Sequence, residues 1–212
     1  MLASESLVPR PFWNDGGPLL IAPQAAVAAW EGTDAPSNGR VVSAKFRWSN
    51  ENDPASDYDR ACDVDPQTAA AIDIGEHWGI IIGTAAAQSA HWLPGSDADE
   101  FYAVGIEAAD DASPERLRAL TSEASEWRLL RAQVSVATEG LLLAHAASRL
   151  SEINERPAMM PSVDADAEPA LIGDGLRYLA RTGEYTVSAG DVVTAAGEYL
   201  TFIRFRAVAP AS

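Results

Sequence analysis

The chain has 212 residues, 47% hydrophobic and 22% charged, and its 31 acidic against 15 basic residues give a formal net charge of −16. That length suits one domain, or two small ones packed together, with a sizeable core; a chain this acidic is a poor nucleic-acid binder, disfavours anionic membrane surfaces, and permits a basic protein partner. The single cysteine, Cys62, excludes an intramolecular disulfide framework and a multi-cysteine zinc site.

No apolar run reaches the ~18 residues of a membrane span. Met1-Leu2-Ala3-Ser4-Glu5-Ser6 lacks the basic and apolar regions of a signal peptide, so the expectation is a cytoplasmic protein. No internal repeat recurs at a fixed period.

In chain order, Asn14-Asp15-Gly16-Gly17-Pro18 is dense turn chemistry, because the glycines permit positive φ and Pro18 fixes its own. A short apolar strand, Leu19–Ile21, follows. Pro23 then opens a helix over Gln24–Trp30, which Gly32 ends. Residues 31–39 read as a loop, Arg40–Trp48 as a strand, and 49–56 as polar loop. Asp57-Tyr58-Asp59-Arg60-Ala61-Cys62-Asp63 suits one or two helical turns. Ala70–Gly75 and Trp78–Gly83 bracket Gly75-Glu76-His77, a hairpin pattern, and the β-branched Ile80-Ile81-Ile82 run reads as a buried strand. Glu100–Ala108 alternates as a strand.

One helix is well signalled: Ser113 as N-cap, Pro114 at the first position, Glu115 in the first turn, and Leu117, Leu120, Ala124 and Trp127 on one face. From Leu130 the period switches to two, Thr138-Glu139-Gly140 turns, and Leu141–Ala146 returns as a strand. Residues 154–170 read as an exposed connection. Leu176–Ala180, Gly183–Ser188 and Tyr199–Val208 complete the strands. The expected class is α+β: mostly antiparallel sheet, one clear helix at about 113–127 and several short helices, in a single domain over 1–212.

Familiar catalytic and cofactor signatures are missing from the sequence. There is no Gly-rich phosphate loop and no nucleophile elbow. His77, His91 and His145 lie far apart. Asp59 and Asp63 would raise the Cys62 thiol pKa, which favours a small packed residue over a nucleophile. The run Asp57, Asp59, Asp63, Asp65 fails as a calcium loop, since Cys62 and Thr68 hold the positions that need Gly and Glu. No metal or cofactor is therefore expected. Six tryptophans are spread along the chain; most should be core, while Trp13, beside the Gly-Gly-Pro turn, is the one expected to act beyond packing.

Trp13-x-Asp15-Gly16-Gly17-Pro18-Leu19-Leu20-x-x-Pro23, Trp30-x-Gly32 and Asp57-Tyr58-Asp59-Arg60-Ala61-Cys62 together resemble the immunity protein 21 family of bacterial polymorphic toxin systems. Trp92-Leu93-Pro94 and Gly183-x-Tyr185-x-Val187 extend the likeness. The resemblance implies a cytoplasmic, non-catalytic protein that binds and neutralises a cognate toxin domain. Charge suggests a basic toxin, such as a nuclease. The candidate partner-binding residues are Trp13, Asp15, Asp57, Tyr58, Asp59, Arg60 and Asp63; Gly16, Gly17, Pro18, Trp30 and Cys62 are structural candidates. Two readings of the carboxylates stay open, an acidic face meeting the toxin or caps and solvated groups, with Asp57 capping the turn and Arg60 paired to a neighbouring acid. Two other functions also stay open. One is a small hydrolase or transferase using Cys62 or an Asp/His pair; the other is a homo-oligomeric regulatory module.

Overall fold

The computed structural model describes residues 7–36, 43–48, 54–83, 85, 87–97, 99–108, 112–124, 126–161 and 169–209. The chain is largely β. Its strands are β1 (Leu7–Pro9), β2 (Phe12–Trp13), β3 (Leu19–Pro23), β4 (Ala69–Ile74), β5 (His77–Ile82), β6 (Ser89–Pro94) and β7 (Glu100–Ala108). They continue with β8 (Arg128–Val136), β9 (Leu141–His145), β10 (Asn154–Pro157), β11 (Met159–Pro161), β12 (Asp174–Tyr178), β13 (Gly183–Val193) and β14 (Tyr199–Ala207). Helix α1 covers Asp57–Cys62 and α2 covers Pro114–Thr121. Short 3-10 turns cover Gln24–Ala29 and Leu150–Glu152.

Two six-stranded sheets carry the fold, ordered β10-β12-β9-β3-β5-β4 and β2-β6-β7-β14-β13-β8; β1 and β11 form a separate pair. Among the described strands, pairing is antiparallel except between β10 and β12, and an isolated parallel bridge joins Phe12 to Ala170. One core lies between the sheets, filled by Phe12, Ile21, Ile80, Ile82, Leu143, Leu176, Val187 and Ile203 around an aromatic centre. There Trp92 stacks on Tyr178 at 5.0 Å and Phe101 on Phe205 at 4.8 Å. The Trp92 indole N–H donates to the Leu176 carbonyl at 3.2 Å, so the buried polar atom keeps a partner.

Both outer faces carry packed elements too. Trp30, Tyr58, Ala61 and Leu150 pack on the first sheet over Leu20, Ile81 and Leu142. Leu117 and Leu120 of α2 pack on the second over Leu93, Val104, Ile106, Leu200 and Phe202. Coverage on both sides is why Ile80-Ile81-Ile82 is continuously apolar: Ile80 and Ile82 enter the inter-sheet core while Ile81 enters the outer one. The same division sends Ile203 and Phe205 of β14 inward and Leu200 and Phe202 outward.

Four expectations need correction. The helix expected at about 113–127 begins as read, with the Ser113 hydroxyl accepting from Arg116 N–H and Pro114 in the first turn, but ends at Thr121. Ala124 and Trp127 still reach the same apolar cluster from the loop that follows, so the helical spacing outlasts the helix. The expected strand Arg40–Trp48 is irregular over 43–48, and residues 40–42 lie outside the described ones. Residues 154–170, read as a connection, contain β10 and β11; 162–168 lie outside the described residues. Finally, the helix expected over Gln24–Trp30 is a 3-10 helix that stops at Ala29, while the turn at Thr138-Glu139-Gly140 lies where it was expected. β8 pairs with β13, whereas β9 pairs with β3 and β12, so the chain changes sheets there.

No described helix is long and apolar enough to cross a membrane.

Candidate functional site

Of the five segments that bear the family likeness, three meet at one corner, where the chain passes from β2 to β3 against the end of β9. Asn14 shapes the turn. Its side-chain amide donates to Gly17 O at 2.8 Å and Ala87 O at 2.9 Å, and its carbonyl accepts from Gly16 N–H. Gly17 has φ +89°, and a Cβ there would lie 2.7 Å from His145 Nε2 and 2.9 Å from the Tyr58 hydroxyl. Only glycine satisfies both the backbone angle and the space.

His145, at the end of β9, fastens this turn. Its Nδ1 accepts from Ala147 N–H at 3.2 Å, which assigns the proton to Nε2, facing the Gly16 carbonyl. The imidazole stacks on Tyr58 at 6.1 Å. Trp30 is buried and donates its indole N–H to Ala146 O at 2.8 Å. Gly32, at φ +62°, lies against Ala147 and accepts from Tyr58 N–H at 2.9 Å. Pro18 accepts from Ala146 N–H at 3.0 Å. The Gly-Gly-Pro turn, the Trp-x-Gly step and α1 thus grip the same 145–147 segment.

Helix α1 begins with a reciprocal cap. The Ser56 hydroxyl accepts from Asp59 N–H at 3.1 Å, while the Asp59 carboxylate accepts from Ser56 N–H at 2.8 Å. The N-cap is Ser56, not Asp57. Asp57 is 1% exposed and Asp59 0%, so neither contributes to an acidic face, which corrects that expectation for both. Their oxygens are committed: Asp57 accepts from Glu31 N–H at 3.0 Å and pairs with Arg60 at 3.2 Å. The other oxygen of Asp59 accepts from Trp48 N–H at 2.6 Å. Arg60 also bridges to Asp73 at 2.7 Å, the paired arginine the sequence suggested. Asp63 is exposed, and its carboxylate accepts from Lys45 and Phe46 N–H at 2.7 Å each. Two aspartates of α1 and its C-cap therefore pin the irregular 43–48 segment onto the helix.

Pinning that segment places Trp48 edge-on against Tyr58, centroids 5.9 Å apart, while leaving the indole 68% exposed. Trp13, opening the turn from β2, is 57% exposed, and Asp15 is exposed beside it. Tyr58 itself is buried. Burial first, then Cys62 and Asp59, push its phenol up to about 12.

Cys62 is half-buried beside Tyr58 on α1, and among the described residues no imidazole is hydrogen-bonded to it. Burial, with Asp59 and Asp63 adding to it, raises the thiol pKa, which keeps the protonated, unreactive form. His91 is buried on β6, and desolvation lowers its pKa to about 4. Among the described residues, no group of three or more His, Cys, Asp or Glu side chains is placed to hold a metal ion.

No protein-family model, curated protein or solved structure matches the chain.

Two participants escaped the sequence reading. His145 was one of three scattered histidines, and nothing local tied it to Gly16. Trp48 was one of six tryptophans, most of them expected in the core, and nothing singled it out. His91 had a usable signal: Ser89, His91 and Leu93 alternate with Ala90 and Trp92, which places the imidazole on the outer face of the second sheet once β6 is recognised.

Proposed function

We propose that this chain is a cytoplasmic immunity protein of the kind its motifs resemble, which neutralises a cognate toxin domain by binding it. The observation that carries this reading is that two indoles stay exposed on ordered supports, Trp13 at the head of the Gly-Gly-Pro turn and Trp48 edge-on against Tyr58 of α1. Large exposed aromatics on a rigid support are the usual anchors of protein interfaces. Here the support is rigid because Asn14, Gly17, His145 and the α1 cap lock one another. A net charge of −16 favours a basic toxin, such as a nuclease, and accelerates its capture at low salt. Of the acidic residues considered, Asp15 and Asp63 remain at the surface. The finer α+β class, with helices laid on the outer faces of both sheets, belongs to the same proposal.

The test is size-exclusion chromatography of the purified chain with basic nuclease toxin domains at low salt. Co-elution with one domain, weakened by added salt and by the double substitution Trp13→Ala/Trp48→Ala, is the expected result. Separate elution of every domain counts against the reading.

A further inference from the structure

The outer face of the second sheet is not wholly covered. Helix α2 lies over β6, β7 and β14, and beyond it, toward edge strand β2, a groove of about 600 Å³ remains. The β2–β6 register, Trp13 opposite Ser89, puts the Trp13 indole on the same face as Ser89 and His91. Trp13, Ser89, His91, Ile106 and Ala112, the last just ahead of α2, line the groove. Asp15 and Glu107 supply two carboxylates, and among the described residues no lysine or arginine lines it.

His91 is the unusual part. It is 8% exposed and lines the groove, yet among the described residues no hydrogen-bond partner meets either ring nitrogen. A polar side chain that lines an open groove without a protein partner keeps its hydrogen-bonding capacity for whatever enters the groove. Burial keeps this imidazole uncharged at neutral pH, its pKa lowered to about 4, so one nitrogen is always an acceptor.

We propose that this groove receives an arginine side chain from a basic protein partner. The guanidinium stacks on the Trp13 indole, donates to the free ring nitrogen of His91 and pairs with Glu107 and Asp15 at the rim. Arginine fits better than lysine because its planar, multi-donor head can satisfy an aromatic face, a neutral acceptor and carboxylates together. The partner's identity as a toxin rests on the immunity reading; the groove's preference for a guanidinium rests on the lining residues alone.

The probe is N-acetyl-arginine methylamide, titrated into the isotopically labelled full chain and followed by NMR at the Trp13 indole N–H and the His91 ring. The lysine and norleucine analogues are the comparisons. Expected are saturable shifts confined to Trp13, His91 and their groove neighbours, several-fold weaker for the lysine analogue and absent for norleucine. Trp13→Ala and Glu107→Gln, both at sites outside the buried core, should each weaken binding about tenfold while leaving the rest of the spectrum unchanged. Equal response to norleucine, shifts scattered over unrelated acidic residues, or insensitivity to both substitutions would overturn the proposal. A toxin domain that binds both variants as well as the parent chain overturns the groove's role but not the immunity reading. Guanidinium binding with no toxin complex does the reverse.

Discussion

Replacing Asp59 separates a structural carboxylate from an interfacial one. Asp59 is fully buried and accepts two backbone hydrogen bonds, from Ser56 at 2.8 Å and Trp48 at 2.6 Å. Asp59→Ala strands the Ser56 donor in a buried setting, which costs about 1–3 kcal/mol. It also releases the Trp48 donor, which is only partly buried and regains water, so that loss is smaller. Together they amount to on the order of 3 kcal/mol. For a chain of this length, about 2–4 °C of Tm is lost per kcal/mol, so a fall of roughly 10 °C is expected. Asp59→Asn should lose nearly as much, since the amide turns a donor toward a backbone N–H. The exposed neighbour Asp15→Ala should stay within about 0.5 kcal/mol of the parent. Urea unfolding and thermal circular dichroism of the three variants measure this. If Asp59→Ala melts with the parent chain yet loses partner binding, the carboxylate faces the partner and the capping argument is wrong.

Three further outcomes follow from the same geometry. Gly17→Ala combines a left-handed φ with contacts of 2.7 and 2.9 Å to His145 and Tyr58, so it should lose about 2 kcal/mol or more in urea unfolding. Trp92→Ala empties the aromatic centre and should lose about 3–5 kcal/mol in the same assay. His91 titrates near 4 when folded against an ordinary 6.5. As pH falls through 6.5 the unfolded chain takes the proton first, so stability declines between 6.5 and 4 and levels off below 4. The decline attributable to this residue is about 3 kcal/mol. Urea midpoints at pH 7 and 4.5 should therefore differ more for the parent than for His91→Gln.

Much of the strand framework was legible because period-two alternation is a local signal. Glu100–Ala108 is β7 with those bounds, and the hairpin around Gly75-Glu76 is β4–β5. What local pattern could not supply was partnership. A turn such as 138–140 has the same chemistry whether it closes a hairpin or carries the chain to the other sheet. Helical spacing through Trp127 persisted because the loop after α2 feeds the same cluster. The carboxylates of α1 looked like a solvated run because their partners, the N–H groups of Lys45, Phe46 and Trp48, come from an irregular segment with no motif of its own. The glycines of the motif were read correctly as turn formers; that Gly17 is also excluded from alanine by His145 and Tyr58 required the fold.

Co-expression with a candidate toxin domain drawn from the neighbouring genes, where the proposed immunity role would place one, tests the central claim most directly, with growth and pull-down as paired readouts. The account predicts that the parent chain restores growth and co-purifies with the toxin, and that Trp13→Ala/Trp48→Ala loses both while remaining folded. Persistent toxicity with no complex, from a chain that is folded and abundant, would contradict it.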